Sequence, residues 1–190
     1  MPETRVADAL PRRVAMISLH TSPLAQAGAG DAGGMNVYVD AVARELTARD
    51  IAVDVYTKGD ADTPATVAAA NGYRVHHILH RAPADLAKDD LPRQLDAAAA
   101  EILGHAAAQR AGGYDLIHSH YWLSGQVGRA VAGSWDVPLV HSMHTLARVK
   151  NAARALGERP EPSARIRGED RIVAAADLLI ANTPAEEQQL

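Results

Sequence analysis

Short, largely apolar runs constrain this chain more than any other feature. Residues 13–19 (RVAMISL), 115–120 (DLIHSH), 137–143 (VPLVHSM) and 178–182 (LLIAN) are too brief for helices and lack the clean polar alternation of a strand with one wet face. Runs of this kind are strands buried on both faces of a parallel sheet. Between them the period changes. After Gly34, Val39, Val42, Ala43 and Leu46 recur at helical spacing over 34–49, and after Leu91 the residues Leu95, Ala98, Ala99, Ile102, Leu103 and Ala106 do the same until Gly112-Gly113. Residues 51–57 alternate with period two and 73–79 form another extended run, while 122–131 and 165–176 read as helices. Thr183, Pro184 and Glu186 supply the N-cap, first-turn proline and capping-box acid of one more helix. Strands alternating with helices predict an α/β fold: an open, mainly parallel, Rossmann-like sheet with helices on both faces.

Composition narrows the chemistry. The 190 residues suit one domain with a real core, and 47% hydrophobic against 22% charged residues describes a folded chain. A net charge of -4 argues against bulk nucleic-acid binding, and the absence of cysteine removes disulfides, thiolate metal sites and cysteine nucleophiles. No apolar run reaches the roughly 18 to 20 residues of a membrane span, and the N-terminus lacks a signal-like apolar region, so a cytoplasmic protein without a transmembrane segment is expected. Residues 1–12 are expected to be a flexible segment and 13–190 a single domain.

In open α/β sheets ligands gather at the carboxyl ends of the strands, and the polar clusters of this sequence fall there. Gly28-Ala-Gly30-Asp-Ala-Gly33 contains G-x-G-x-x-G ahead of a helix. It begins well past the strand, however, and no acid closes the second strand, which argues against a dinucleotide site. Gly33-Gly34 at a helix start still lets backbone N–H groups approach an anion, unless the pair is merely a surface turn. His118, His120, His141 and His144 cluster about two strand ends. They could hold zinc or iron, but no carboxylate stands at ligand spacing, and His118 and His141 inside strands read as hydrogen-bonded core residues. The basic stretch 148–171 is a solvated face or, with Lys88 and the glycine loop, a phosphate clamp.

Four strings carry a resemblance: residues 17–23 (ISLHTSP), 30–38 (GDAGGMNVY), 115–125 (DLIHSHYWLSG) and 141–146 (HSMHTL). Together they resemble the N-terminal domain of retaining glycosyltransferases of the GT-B fold, family 4, and within it the inositol-phosphate glycosyltransferases of the mycothiol pathway. The resemblance implies transfer of N-acetylglucosamine from UDP-N-acetylglucosamine to 1D-myo-inositol 3-phosphate with retention, in a full-length homodimer. It places acceptor contacts at His20, Asp31, Ala32, Gly33, Gly34, Met35, Asn36, Lys88, Tyr121, Thr145 and Arg165, with Lys88, Tyr121, Thr145 and Arg165 as the phosphate clamp. Gln26 and Gly34 would touch the donor, and His144 would be the catalytic residue nearest the transferred sugar. It implies no cofactor or metal in this domain, with magnesium assigned to a C-terminal donor domain that this sequence lacks. Glu161 and Glu169 have the spacing of that domain's Glu-x7-Glu motif without its surroundings, and their spacing reads as coincidence. The alternatives are a non-catalytic sugar-phosphate binding fragment, a related GT-B enzyme with another acceptor, and a metal-dependent hydrolase.

Overall fold

The computed structural model describes residues 10–26, 28, 33–79, 90–108 and 113–190. Most of the expected flexible N-terminus and the site residues Asp31, Ala32 and Lys88 lie outside the described residues, as does Gly112.

The elements follow in the order β1 (Arg13–Ile17), α1 (Gly34–Thr47), β2 (Ala52–Lys58), β3 (Thr66–Ala68), β4 (Arg74–Ile78), α2 (Leu95–Ala108), β5 (Leu116–His120), α3 (Tyr121–Trp135), β6 (Leu139–Ser142), α4 (Ala147–Ala152), α5 (Ser163–Val173), β7 (Leu178–Ile180) and α6 (Pro184–Glu187). One seven-stranded sheet has the order β3-β4-β2-β1-β5-β6-β7, parallel throughout except for the antiparallel pairing of β3 with β4.

Alternation along β1 shows how both faces are covered. Val14 and Met16 pack with Val39 and Ala43 of α1, whereas Ala15 and Ile17 join the core that holds Ile102 of α2 and Val127 and Val131 of α3. All four β1 side chains are buried, as the continuous apolar run requires. The path leaves β1 toward β2 and later returns to place β5 on β1's other side. The carboxyl ends of β1 and β5 therefore flank the topological switch point, where such sheets open a crevice.

Two glycines set how closely the helices approach. A Cβ on Gly125 in α3 would lie 2.5 Å from Ile172 Cδ1 and 2.7 Å from His141 Cε1, and one on Gly168 in α5 would meet Gln126 and Trp122 of α3. At the other end of the sheet, fully buried Asp54 ties three strands by accepting from Arg13, Arg74 and His76, and from the Tyr114 hydroxyl. Burial alone would raise its pKa. The hydrogen bonds from His76, Arg74 and Arg13 overcome that and hold it well below the usual carboxylate range.

Local corrections follow from short-range causes. A single 3-10 turn at Leu91–Arg93 replaces the expected first helical turn, with Pro92 in it, and α2 begins at Leu95. The helix read as 122–131 runs through Trp135 until Asp136 takes a left-handed conformation. Strand β3, in a segment read as loop, is three residues on the sheet edge, and α4 arises inside the polar stretch because Glu169 caps its first N–H.

Candidate functional site

Three chain segments meet outside the switch point. The turn after β1 carries His20, α1 begins at Gly33-Gly34, and Tyr121 follows β5 directly. The turn after β6 adds His144 and Thr145. The start of α1 and the turn after β6, with residues of α4 and of the segment around α6, border a cleft of about 600 Å³, whose walls include Gly34, Met35, Tyr38, His144, Thr145, Lys150, Asn182, Thr183 and Glu186; His20 and Tyr121 are not among them.

Asn36 builds the glycine-loop side. It is 2% exposed, accepts from Thr21 Oγ1 at 2.9 Å and from the Gly33 N–H at 3.2 Å, and donates to the Ser22 carbonyl. Its side chain thus fastens the loop after β1 to the start of α1. Gly33, with φ -156°, lies outside the left-handed region that favours glycine, and among the described residues a Cβ on either Gly33 or Gly34 would meet nothing within 4 Å. Neither packing nor backbone conformation demands glycine here. What remains is the space itself, in front of helix N–H groups that lack intrahelical partners.

The two strand-end residues are strained. Tyr121 has φ 70° and His144 φ 62°. Such a conformation costs a non-glycine residue roughly 1 to 2 kcal/mol and persists only where neighbours enforce it. The Tyr121 ring is held between the His20 ring, 4.6 Å away, and the Arg165 guanidinium, 4.9 Å from its centroid. His144 shares a 3.1 Å hydrogen bond between its Nε2 and His120 Nδ1, and the Tyr38 ring meets both imidazoles edge-on.

Burial pushes these imidazoles down. His118 and His144 fall to about 4 and His141 to about 3, and His120 drops well below its ordinary value, with neighbouring imidazoles adding repulsion for all but His144. Glu186 pulls His144 the other way without prevailing. His144 is therefore neutral at pH 7, a hydrogen-bonding group and not a cation. His118 and His141 are core residues, bonded to Ser142 Oγ at 3.0 Å and Ser119 Oγ at 2.7 Å. Among the described residues no three His, Asp or Glu side chains could jointly hold a metal ion.

Arg165 is a hub. It is 2% exposed, donates from Nε to Glu169 at 2.7 Å, reaches the Thr145 carbonyl and Oγ1 at 3.0 and 2.9 Å, and pairs with Glu161 at 2.9 Å. Because Thr145 Oγ1 accepts from Arg165, its own proton is left to donate into the cleft. The spacing of Glu161 and Glu169 thus has a structural cause: they stand four residues either side of Arg165. Tyr121, Thr145 and Arg165, far apart in sequence, form one contact group, of which Thr145 alone reaches the cleft wall; Gln26 stands exposed in its loop, and it, His20, Gly33 and Asn36 are likewise not part of that wall. Sequence reasoning did not single out Tyr38, and it held Lys150 only as one of the basic residues of the stretch 148–171. Tyr38 was within reach, since it lies one helical turn from Gly34 on the same face.

This edge and sheet define an open α/β domain with a cleft beside a glycine-opened helix start, its surface mostly apolar with a few polar side chains set into it. The family described as Glycosyl transferase 4-like domain matches residues 33–190, and the chain belongs to it. D-inositol 3-phosphate glycosyltransferase of Geodermatophilus obscurus is 54% identical over 98% of this chain, and that of Kineococcus radiotolerans 56% over 94%. The chain spans 42% and 41% of the length of those two relatives. Among solved structures, sucrose-phosphate synthase of Thermosynechococcus elongatus superposes with a TM-score of 0.85 at 29% identity, over 94% of this chain and 44% of that one.

Proposed function

We propose that this chain is the acceptor-binding domain of a retaining glycosyltransferase that moves N-acetylglucosamine from UDP-N-acetylglucosamine to 1D-myo-inositol 3-phosphate. The observation that carries the reading is the union of two features: glycines at the start of α1 whose backbone and described surroundings do not require them, and Thr145 on the same cleft, backed by the contacts of Arg165 with Thr145 and Tyr121. The names of relatives that match nearly the whole chain support it. The α1 N-terminus favours negative charge, so the donor diphosphate lies against Gly34. Lys88, Tyr121, Thr145 and Arg165 receive the acceptor phosphate, while His20 and residues 31–36 shape the seat of the inositol ring. Neutral His144 hydrogen-bonds a hydroxyl of the transferred sugar without introducing a charge that would compete with the departing diphosphate.

Calorimetric titration tests the acceptor. The chain is expected to bind inositol 3-phosphate about tenfold or more tightly than inositol, the difference one charge-assisted phosphate contact supplies. Equal affinities overturn the assignment. UDP release, measured with this domain joined to a second Rossmann-like domain, separates a transferase from a binding module, which would bind without turnover.

A further inference from the structure

Two cations converge on one loop carboxylate. Glu161 lies near the end of the irregular segment between α4 and α5, its side chain 19% exposed, and its two oxygens are held separately: Oε1 by Lys150 Nζ, Oε2 by Arg165 at 2.9 Å. Lys150 lies on α4, is more than half exposed and lines the cleft; Arg165 lies on α5 beneath Thr145. The two partners of Arg165 differ. Glu169 is buried on the same helix and also accepts from the Ala147 N–H at 2.9 Å, so it belongs to the framework of α4 and α5. Glu161 stands at the surface, fastened by Asn151 Oδ1 accepting from its backbone N–H at 2.7 Å.

We propose that Lys150 and Arg165 form a seat for the acceptor phosphate, that Lys150 is a further specificity-determining residue of this site, and that the Glu161 carboxylate occupies the seat until the phosphate displaces it. The inference rests on the acceptor reading above and names a contact that reading does not contain. A carboxylate and a phosphate each present paired anionic oxygens to cationic donors, and the dianion competes better for two cations than a monoanion does. Exchange leaves the Arg165 to Glu169 pair in place, so the buried guanidinium keeps a counter-charge throughout. Glu161, released, needs only to turn into solvent. An unphosphorylated inositol cannot compete for the seat, so the carboxylate acts as a filter for the phosphate group.

The test is titration of this chain and of two variants, E161Q and K150Q, with inositol 3-phosphate, inositol and inorganic phosphate at one low ionic strength, each variant verified as folded by its melting curve. E161Q keeps the side-chain shape and removes the competing charge, and is expected to bind inositol 3-phosphate and inorganic phosphate about tenfold more tightly, with inositol unchanged. K150Q, on an exposed position, is expected to weaken both phosphates several-fold and leave inositol unchanged. If wild-type protein prefers inositol 3-phosphate while neither variant alters that affinity, the acceptor reading stands and the seat falls. If E161Q strengthens inorganic phosphate but the inositol ring adds nothing, the seat stands and the acceptor reading falls. Weaker phosphate binding by E161Q would show the carboxylate to be part of the site's framework, and overturns the proposal.

Discussion

Gly34 separates what the fold needs from what a ligand needs. Its backbone is helical, and a side chain built on it enters open space. Gly34→Val is therefore expected to shift the melting temperature by no more than a couple of degrees, a β-branched residue in a first helical turn costing about half a kcal/mol against other residues. The same variant is expected to lose UDP-sugar binding in a protein carrying both domains, because the added methyls fill the approach to the α1 N-terminus. Unchanged donor affinity in that measurement would reduce the glycine pair to a turn. At this scale the sequence was legible where chemistry is local. His118 and His141, inside strands, read as satisfied core residues and are so. The left-handed Tyr121 and His144 were illegible, since a non-glycine residue in that region is forced by contacts from distant segments, here Arg165, His120 and Tyr38. Glu161 and Glu169 looked like coincidence because a four-residue spacing to either side of a shared arginine is meaningful only once the arginine is known to be buried.

The elements that sequence periodicity located best are those buried on both faces or along one stripe. Strands β1, β5 and β6 and helices α1, α2 and α3 are of that kind, and they build the switch point at which the site opens. Periodicity fails for elements held by single tertiary bonds, such as α4, whose first N–H is taken by Glu169 twenty-two residues away. The approach of α3 to β6 and α5 is set by Gly125, and it yields an element-scale prediction. In Gly125→Ala the new methyl overlaps buried Ile172 and His141, neither of which is the free end of a flexible surface chain. Overpacking of this kind costs typically 1 to 3 kcal/mol. A melting temperature lowered by several degrees, with acceptor affinity reduced because α5 carries Arg165, is the expected result. A neutral substitution would mean that α3 and α5 part easily, and that Arg165 is not rigidly placed by their contact.

Across the whole molecule the buried imidazoles couple stability to pH. His118, His120, His141 and His144 are held neutral by burial, with native pKa values depressed from 6.5 to about 4 for His118 and His144, to about 3 for His141, and well below the ordinary value for His120. In the unfolded chain the same groups titrate near 6.5. Between those limits the unfolded state binds more protons than the native state, so stability rises with pH through that window and is lost as pH falls below 6.5. Asp54 acts lower on the scale. Its native pKa is depressed below the ordinary value of 3.8, so its contribution is intact above that value and disappears only as pH falls further. One histidine displaced as far as His118 accounts for about 3 kcal/mol across its window, and the four titrate as a coupled set and not as independent increments. Urea denaturation at a series of pH values measures the sum. The unfolding free energy is expected to be nearly level from pH 8 to 7, to fall by at least about 3 kcal/mol between pH 6.5 and 4, and to fall further below pH 4 as Asp54 is protonated in the unfolded chain while the native carboxylate stays ionised. The decline is expected to become shallower in His118→Asn, which removes one of the titrating groups from the sheet. Stability that stayed level down to pH 5 would mean that these imidazoles are solvated or charged in the native protein, and the neutral hydrogen bond between His120 and His144 that positions the cleft's central residue would have to be abandoned with them.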